Sequence, residues 1–86
     1  MKFEQLIESI EFTQNSLQQK ALSTVNQLAT IRNWLIGHYI VEFEQKGEDR
    51  AKYGDKLLKT LSEELKKKRL KGFSATNLKL FSLINS

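Results

Sequence analysis

Neither cysteine nor proline occurs in this 86-residue chain, and glycine appears only four times, at positions 37, 47, 54 and 72. Without cysteine there are no disulfides and no thiolate ligands for a metal. Without proline, and with glycine so sparse, helices meet few breakers. The single histidine, His38, comes with no cysteine, so it reads as a surface or packing residue rather than a metal ligand. No apolar run approaches the roughly 18 residues that span a bilayer. The N-terminus, MKFEQLIESIEF, carries acids where a secretory leader would be apolar. A soluble, cytoplasmic chain with no membrane partner is therefore expected.

At this length the chain is one small domain, burying roughly 60–65% of the surface its unfolded form exposes. The net charge of +4 is unevenly placed. Residues 1–45 hold three bases (Lys2, Lys20, Arg32) against five acids, giving −2. Residues 46–86 hold eleven bases against five acids, giving +6. Basic charge gathered in one half is the footprint of a phosphate-binding surface, or else a solvated helix face.

Apolar residues recur at steps of three and four, and no useful period-2 run is present, so the fold class expected is all-α. Phe3, Leu6, Ile7 and Ile10 share one face of a short amphipathic helix ending near Phe12. From Asn15 or Ser16 to Phe43 the stripe Leu17, Ala21, Thr24, Leu28, Ile31 and Leu35 is sustained, widened by Leu22, Val25, Ile36, Tyr39, Ile40 and Phe43. Traced back to Phe3, the stripe allows one continuous helix, the alternative being a long helix with a short leading one. Either way a long N-terminal helix is expected as scaffold, wide enough on its apolar side to pair with a second copy as a homodimer. Gly37 costs such a helix about 1 kcal/mol relative to alanine. It makes sense where another backbone crosses between Trp34 and Tyr39.

Gly47, preceded by Lys46, fits the end of that helix. The domain divides there: 1–46 as scaffold and dimerisation region, 47–86 as a helix-turn-helix-like hairpin. Residues 47–54 read as a loop with a helical turn at 49–53, and Tyr53 as a core anchor. Asp55 is a candidate N-cap for a helix to about Lys68, with Leu57, Leu58, Leu61 and Leu65 inward. Leu70 and Phe73 bracket a turn, Ser74 caps the last helix, and Leu78, Phe81 and either Leu80 or Ile84 point inward. That helix is still periodic at Ser86, which suggests the N-terminal part of a longer protein.

Catalytic chemistry finds little support. There is no Ser-His-Asp order with credible context, and both GxxxxGK[ST] and GxGxxG are absent. Glu63–Glu64 and Glu48–Asp49 are adjacent, so on a helix they diverge. Glu44-Gln45-Lys46 and Glu64-Leu65-Lys66 have the E-x-K spacing of some nucleases, but that motif needs a strand and both triplets fall on predicted helices. No enzyme activity, cofactor, metal or small-molecule substrate is expected of these residues.

The basic segment is the better lead. Lys66, Lys67, Lys68, Arg69 and Lys71 gather at a helix end and its turn, suited to holding phosphates of double-stranded DNA. Ser74, Thr76, Asn77 and Lys79 open the next helix. There short polar side chains can approach a groove, Asn77 toward adenine and Lys79 toward guanine or phosphate. The plainer alternatives are that Ser74 simply caps the helix and that Asn77 bonds nearby backbone.

The runs VNQLATIRNWLIGHYIVEFEQKG, YGDKLLKTLSEEL and KGFSATNLK resemble the N-terminal domain of YhcG-like bacterial proteins over about residues 20–82. The most specific matches are W-x-I-G at Trp34, Ile36 and Gly37, and G-F-S-x-x-N-L at Gly72, Phe73, Ser74, Asn77 and Leu78. Departures are Asn33 where an aromatic is usual, Leu80 and Phe81 where arginine is usual, and the basic KKRLK before the GFS motif. The resemblance implies a helical domain ahead of a PD-(D/E)XK nuclease domain, delivering DNA to it. The rival is a dimerisation or docking module that does not touch DNA, and a third reading is a small antitoxin-like regulator.

Overall fold

The computed structural model describes residues 1–18 and 25–85. Among them the regular structure is all helical: α1 (Phe3–Gln18), α2 (Val25–Lys46), α3 (Arg50–Tyr53), a 3₁₀ turn (Gly54–Lys56), α4 (Leu57–Lys67) and α5 (Ala75–Ile84). No described helix is long and apolar enough to cross a membrane.

The continuous N-terminal helix that the stripe allows is not what forms. α1 lies antiparallel against α2: Phe3 meets Phe43 with ring centroids 6.1 Å apart, while Gln14, eleven residues on, reaches Arg32 at 3.2 Å. Ala21, Leu22 and Thr24 of the expected stripe lie outside the described residues. α1 runs past Phe12, which is exposed, to Gln18. The buried seam of α2 is Ile36, Ile40 and Phe43, packed with Phe3, Leu6, Ile7 and Ile10, whereas Ile31 is exposed and Leu35 half-buried. Gly37 accounts for the rotation. It turns onto α5, where a Cβ would overlap the carbonyl oxygen of Phe81 and come within 2.7 Å of Asn85 Nδ2. With Gly37 held there, helical geometry carries Ile36, Ile40 and Phe43 to the α1 side. The close backbone approach expected at this glycine is thus present, fastened by Asn85 Nδ2 donating to the Trp34 carbonyl at 2.9 Å.

The start of α1 is capped from a distance. Lys2 offers no acceptor at the cap position, and the Asp49 carboxylate takes that part, accepting from the Phe3 N–H at 3.0 and 3.2 Å. Gln5 Oε1 accepts from the Lys2 N–H at 2.7 Å, which is the reciprocal half of a capping box. The Met1 carbonyl accepts from the Glu48 N–H at 3.0 Å. Tyr53 anchors this end as expected: its ring stacks on Phe3 at 4.1 Å and stands edge-on to Phe43 at 6.3 Å.

Gly47 follows the last residue of α2 and donates its N–H to Phe43 at 2.8 Å, which matches the expected stop. Asp55 does not cap α4. It sits inside the 3₁₀ turn, and Lys56 precedes the helix with no side-chain cap bond. The tight turn carries the chain into α4 directly, so no extended residue stands before it. Leu57, Leu61 and Leu65 are buried as their spacing predicts. In α5 neither Leu80 nor Ile84 is buried (53% and 60% exposed). Ser82 is turned inward instead, its hydroxyl donating to the Lys79 carbonyl at 2.8 Å.

Candidate nucleic-acid interface

Three devices shape the connection between α4 and α5. The first is the end of α4, where Arg69 takes a left-handed φ of 62°. Its N–H donates to Lys66 at 2.9 Å and that of Leu70 to Leu65 at 3.1 Å, the paired bonds of a Schellman motif. The second is Gly72, with φ of 87°. The third is the start of α5, where Ser74 Oγ accepts from the Asn77 N–H at 3.2 Å, the expected cap. Asn77 Nδ2 donates to the Gly72 carbonyl at 3.1 Å and closes the turn. Phe73 (3% exposed) is driven inward between these devices.

The result is a cationic elbow facing solvent. Lys66, Lys67, Lys68, Arg69 and Lys71 are all exposed. Lys67 pairs with Glu64 and Lys68 with Glu11 of α1, each at 3.4 Å. Lys66, Arg69 and Lys71 have no carboxylate partner among the described residues. An open hollow of about 360 Å³ lies along the elbow, lined by Ser62, Lys66, Leu70, Lys71, Gly72, Phe73 and Ser74. Ser74, Thr76 and Lys79 at the start of α5 are exposed, and Asn77 is half-buried. The Asn77 amide nitrogen, the group that would donate to adenine, is engaged within the turn. This is the nearby-backbone bonding open to a first-turn asparagine. Glu44 and Lys46 lie on α2, and Glu64 and Lys66 on α4, so neither E-x-K triplet sits on a strand.

Arginine at a left-handed position costs about 1–2 kcal/mol, and glycine returns about 0.5–1 kcal/mol of that as unfolded-chain entropy. Arg69→Gly is therefore expected to stabilise the fold by about 0.5–1 kcal/mol, read as a higher denaturant midpoint. A lower midpoint would mean that the Arg69 side chain holds the turn together.

One cation at this end was not anticipated from the sequence. Arg32 of α2 places its guanidinium carbon 5.4 Å from the centroid of the Phe73 ring. Its Nε donates to Asn33 Oδ1 at 3.1 Å and its Nη1 to Gln14 Oε1 at 3.2 Å. Burial lowers its pKa from the usual arginine value, yet arginine remains charged at neutral pH. Nothing in its local sequence marks it, because Phe73 and Gln14 reach it only through tertiary packing.

Away from the elbow, Trp34 and Ile31 on α2 and Leu80, Leu83 and Ile84 on α5 are between 47% and 60% exposed. His38 is exposed, its ring parallel to that of Trp34 at 5.6 Å and its Nε2 3.4 Å from Glu42.

Compared with known proteins, residues 9–83 match the family described as DUF1016 N-terminal domain. A protein of Escherichia coli (strain K12) described as "Putative nuclease YhcG" is 41% identical over 81 residues, which cover 94% of this chain and 22% of that protein. The chain thus spans about a fifth of the length of this curated relative. No solved structure matches it.

Proposed function

The chain belongs to the DUF1016 N-terminal domain family, and from that premise we propose that it is the DNA-binding accessory domain of a YhcG-like, nuclease-type protein. The observation that carries this reading is the outward cationic elbow, where Lys66, Arg69 and Lys71 lack carboxylate partners among the described residues. Lys66, Lys67, Lys68, Arg69 and Lys71 hold backbone phosphates, which positions a duplex without reading its sequence. Ser74, Thr76 and Lys79 lie along the groove edge, and Asn77 serves by fixing the turn that presents them. The α4–elbow–α5 hairpin works as a helix-turn-helix-like unit braced by α1 and α2. Catalysis belongs to the part of such a protein beyond this domain.

The test is titration of the chain with a short DNA duplex at two salt concentrations. Binding through phosphates weakens steeply with salt, log K falling against log[salt] by about 0.9 per phosphate contacted. No binding at low salt would overturn the reading.

A second reading is favoured by the exposed apolar residues. Leu80, Leu83 and Ile84 form the outer side of α5, and the Asn85–Trp34 bond sets the end of that helix beside Trp34. Such a surface suits a dimerisation or docking module. Ile36, Ile40 and Phe43, which widened the pairing stripe expected along one long helix, are buried within the chain, so a homodimer on this reading uses the α5 side. A concentration-independent monomer in sedimentation would exclude self-pairing.

A further inference from the structure

We propose that Arg32 is a phosphodiester-binding residue of the same surface, a guanidinium held in place that adds to the exposed lysines of the elbow. The inference rests on the DNA-binding reading above and extends it to a helix outside the basic half of the sequence.

The partners of Arg32 carry the argument. The guanidinium is held on three sides by the Phe73 ring, Gln14 Oε1 and Asn33 Oδ1, all of them neutral. No carboxylate pairs with it among the described residues, and the stretch from 19 to 29 contains no Asp or Glu that could do so. A half-buried arginine normally finds a carboxylate, because removing its charge from water is costly unless it is paired. Here the charge is kept in place by neutral groups. Two of the five N–H donors of an arginine are engaged, through Nε and Nη1, and Nη2 meets no acceptor among the described residues. A planar fork held at its base, with no acceptor at its far edge among the described residues, matches a phosphate oxygen pair. The location agrees: Phe73, on which the fork rests, sits between Gly72 and Ser74 and lines the hollow that Lys66 and Lys71 border. Ordering a free lysine on a phosphate costs side-chain entropy, whereas Arg32 is already held by its neighbours.

The test compares wild type, Arg32→Met and Arg32→Lys, each as the full chain, titrated with a 20-base-pair duplex across a salt series. Circular dichroism and denaturant midpoints are taken alongside. Arg32→Met, which keeps a side chain over Phe73, is expected to bind roughly tenfold more weakly at low salt, as befits one charge-assisted hydrogen bond. Its salt slope is expected to fall by about 0.9. Arg32→Lys is expected to keep the slope and bind several-fold more weakly for want of the fork. A changed midpoint with unchanged affinity and slope would make Arg32 a purely structural residue and overturn the inference alone. If Arg32→Met loses its helical signal, Arg32→Lys decides, and affinity equal to wild type overturns the proposal. Wild type that binds no duplex overturns both this inference and the DNA-binding reading.

Discussion

Gly37→Ala is expected to destabilise the fold by about 2 kcal/mol, although helix propensity alone would make it stabilising by about 1 kcal/mol. The two effects differ in sign, so the measurement is decisive. A Cβ at Gly37 would overlap the backbone oxygen of Phe81 and lie 2.6 Å from its carbonyl carbon. Backbone within a helix cannot swing aside as a side-chain tip does, so α5 must move as a body. That shift would strain the Asn85–Trp34 bond and the seating of Leu78 and Phe81 in the core. Against a total of roughly 4–13 kcal/mol for a chain of this length, the loss is a large fraction. A denaturant midpoint equal to or above that of wild type would mean that α5 does not rest on Gly37.

Replacing Lys67, Arg69 and Lys71 together with alanine is expected to abolish measurable duplex binding at moderate salt while leaving helicity intact. Three phosphate contacts removed should lower the salt slope by about 2.7. The fold has little to lose. The Lys67–Glu64 pair is exposed at 3.4 Å, and such pairs contribute about 0–1 kcal/mol. Arg69 keeps its left-handed backbone cost with alanine in place, and Lys71 is exposed. Affinity and slope equal to wild type would remove the elbow from the interface, and the exposed apolar side of α5 would become the leading functional surface.

The sequence was most legible where one helix states its own environment. Leu57, Leu61 and Leu65 name the inner face of α4 by spacing alone, and Ser74 announces the start of α5 because capping is a local bond. Gly37 was legible for a different reason, since a glycine inside a helix costs stability unless something passes close by. The break between α1 and α2 could not be read, because a periodic apolar stripe looks the same whether it continues straight or folds back on itself. The inward serine and outward leucines of α5 run against hydrophobicity, so apolar spacing alone could not name that helix's inner face. Asp55 had suitable cap chemistry but lies in a tight turn. The elbow lysines were visible as composition, whereas Arg32 acquires its neutral socket only when Gln14 and Phe73 arrive from distant parts of the chain.

The carboxylate of Asp49 on the Phe3 N–H has a kinetic consequence. A lone 16-residue helix of ordinary composition is marginal in water, and the group that completes the first turn of α1 is encoded 46 positions later. During synthesis at about 5–20 residues per second, that acceptor emerges roughly 2–9 s after Phe3. Helix α1 therefore waits for Asp49 before its first turn is complete.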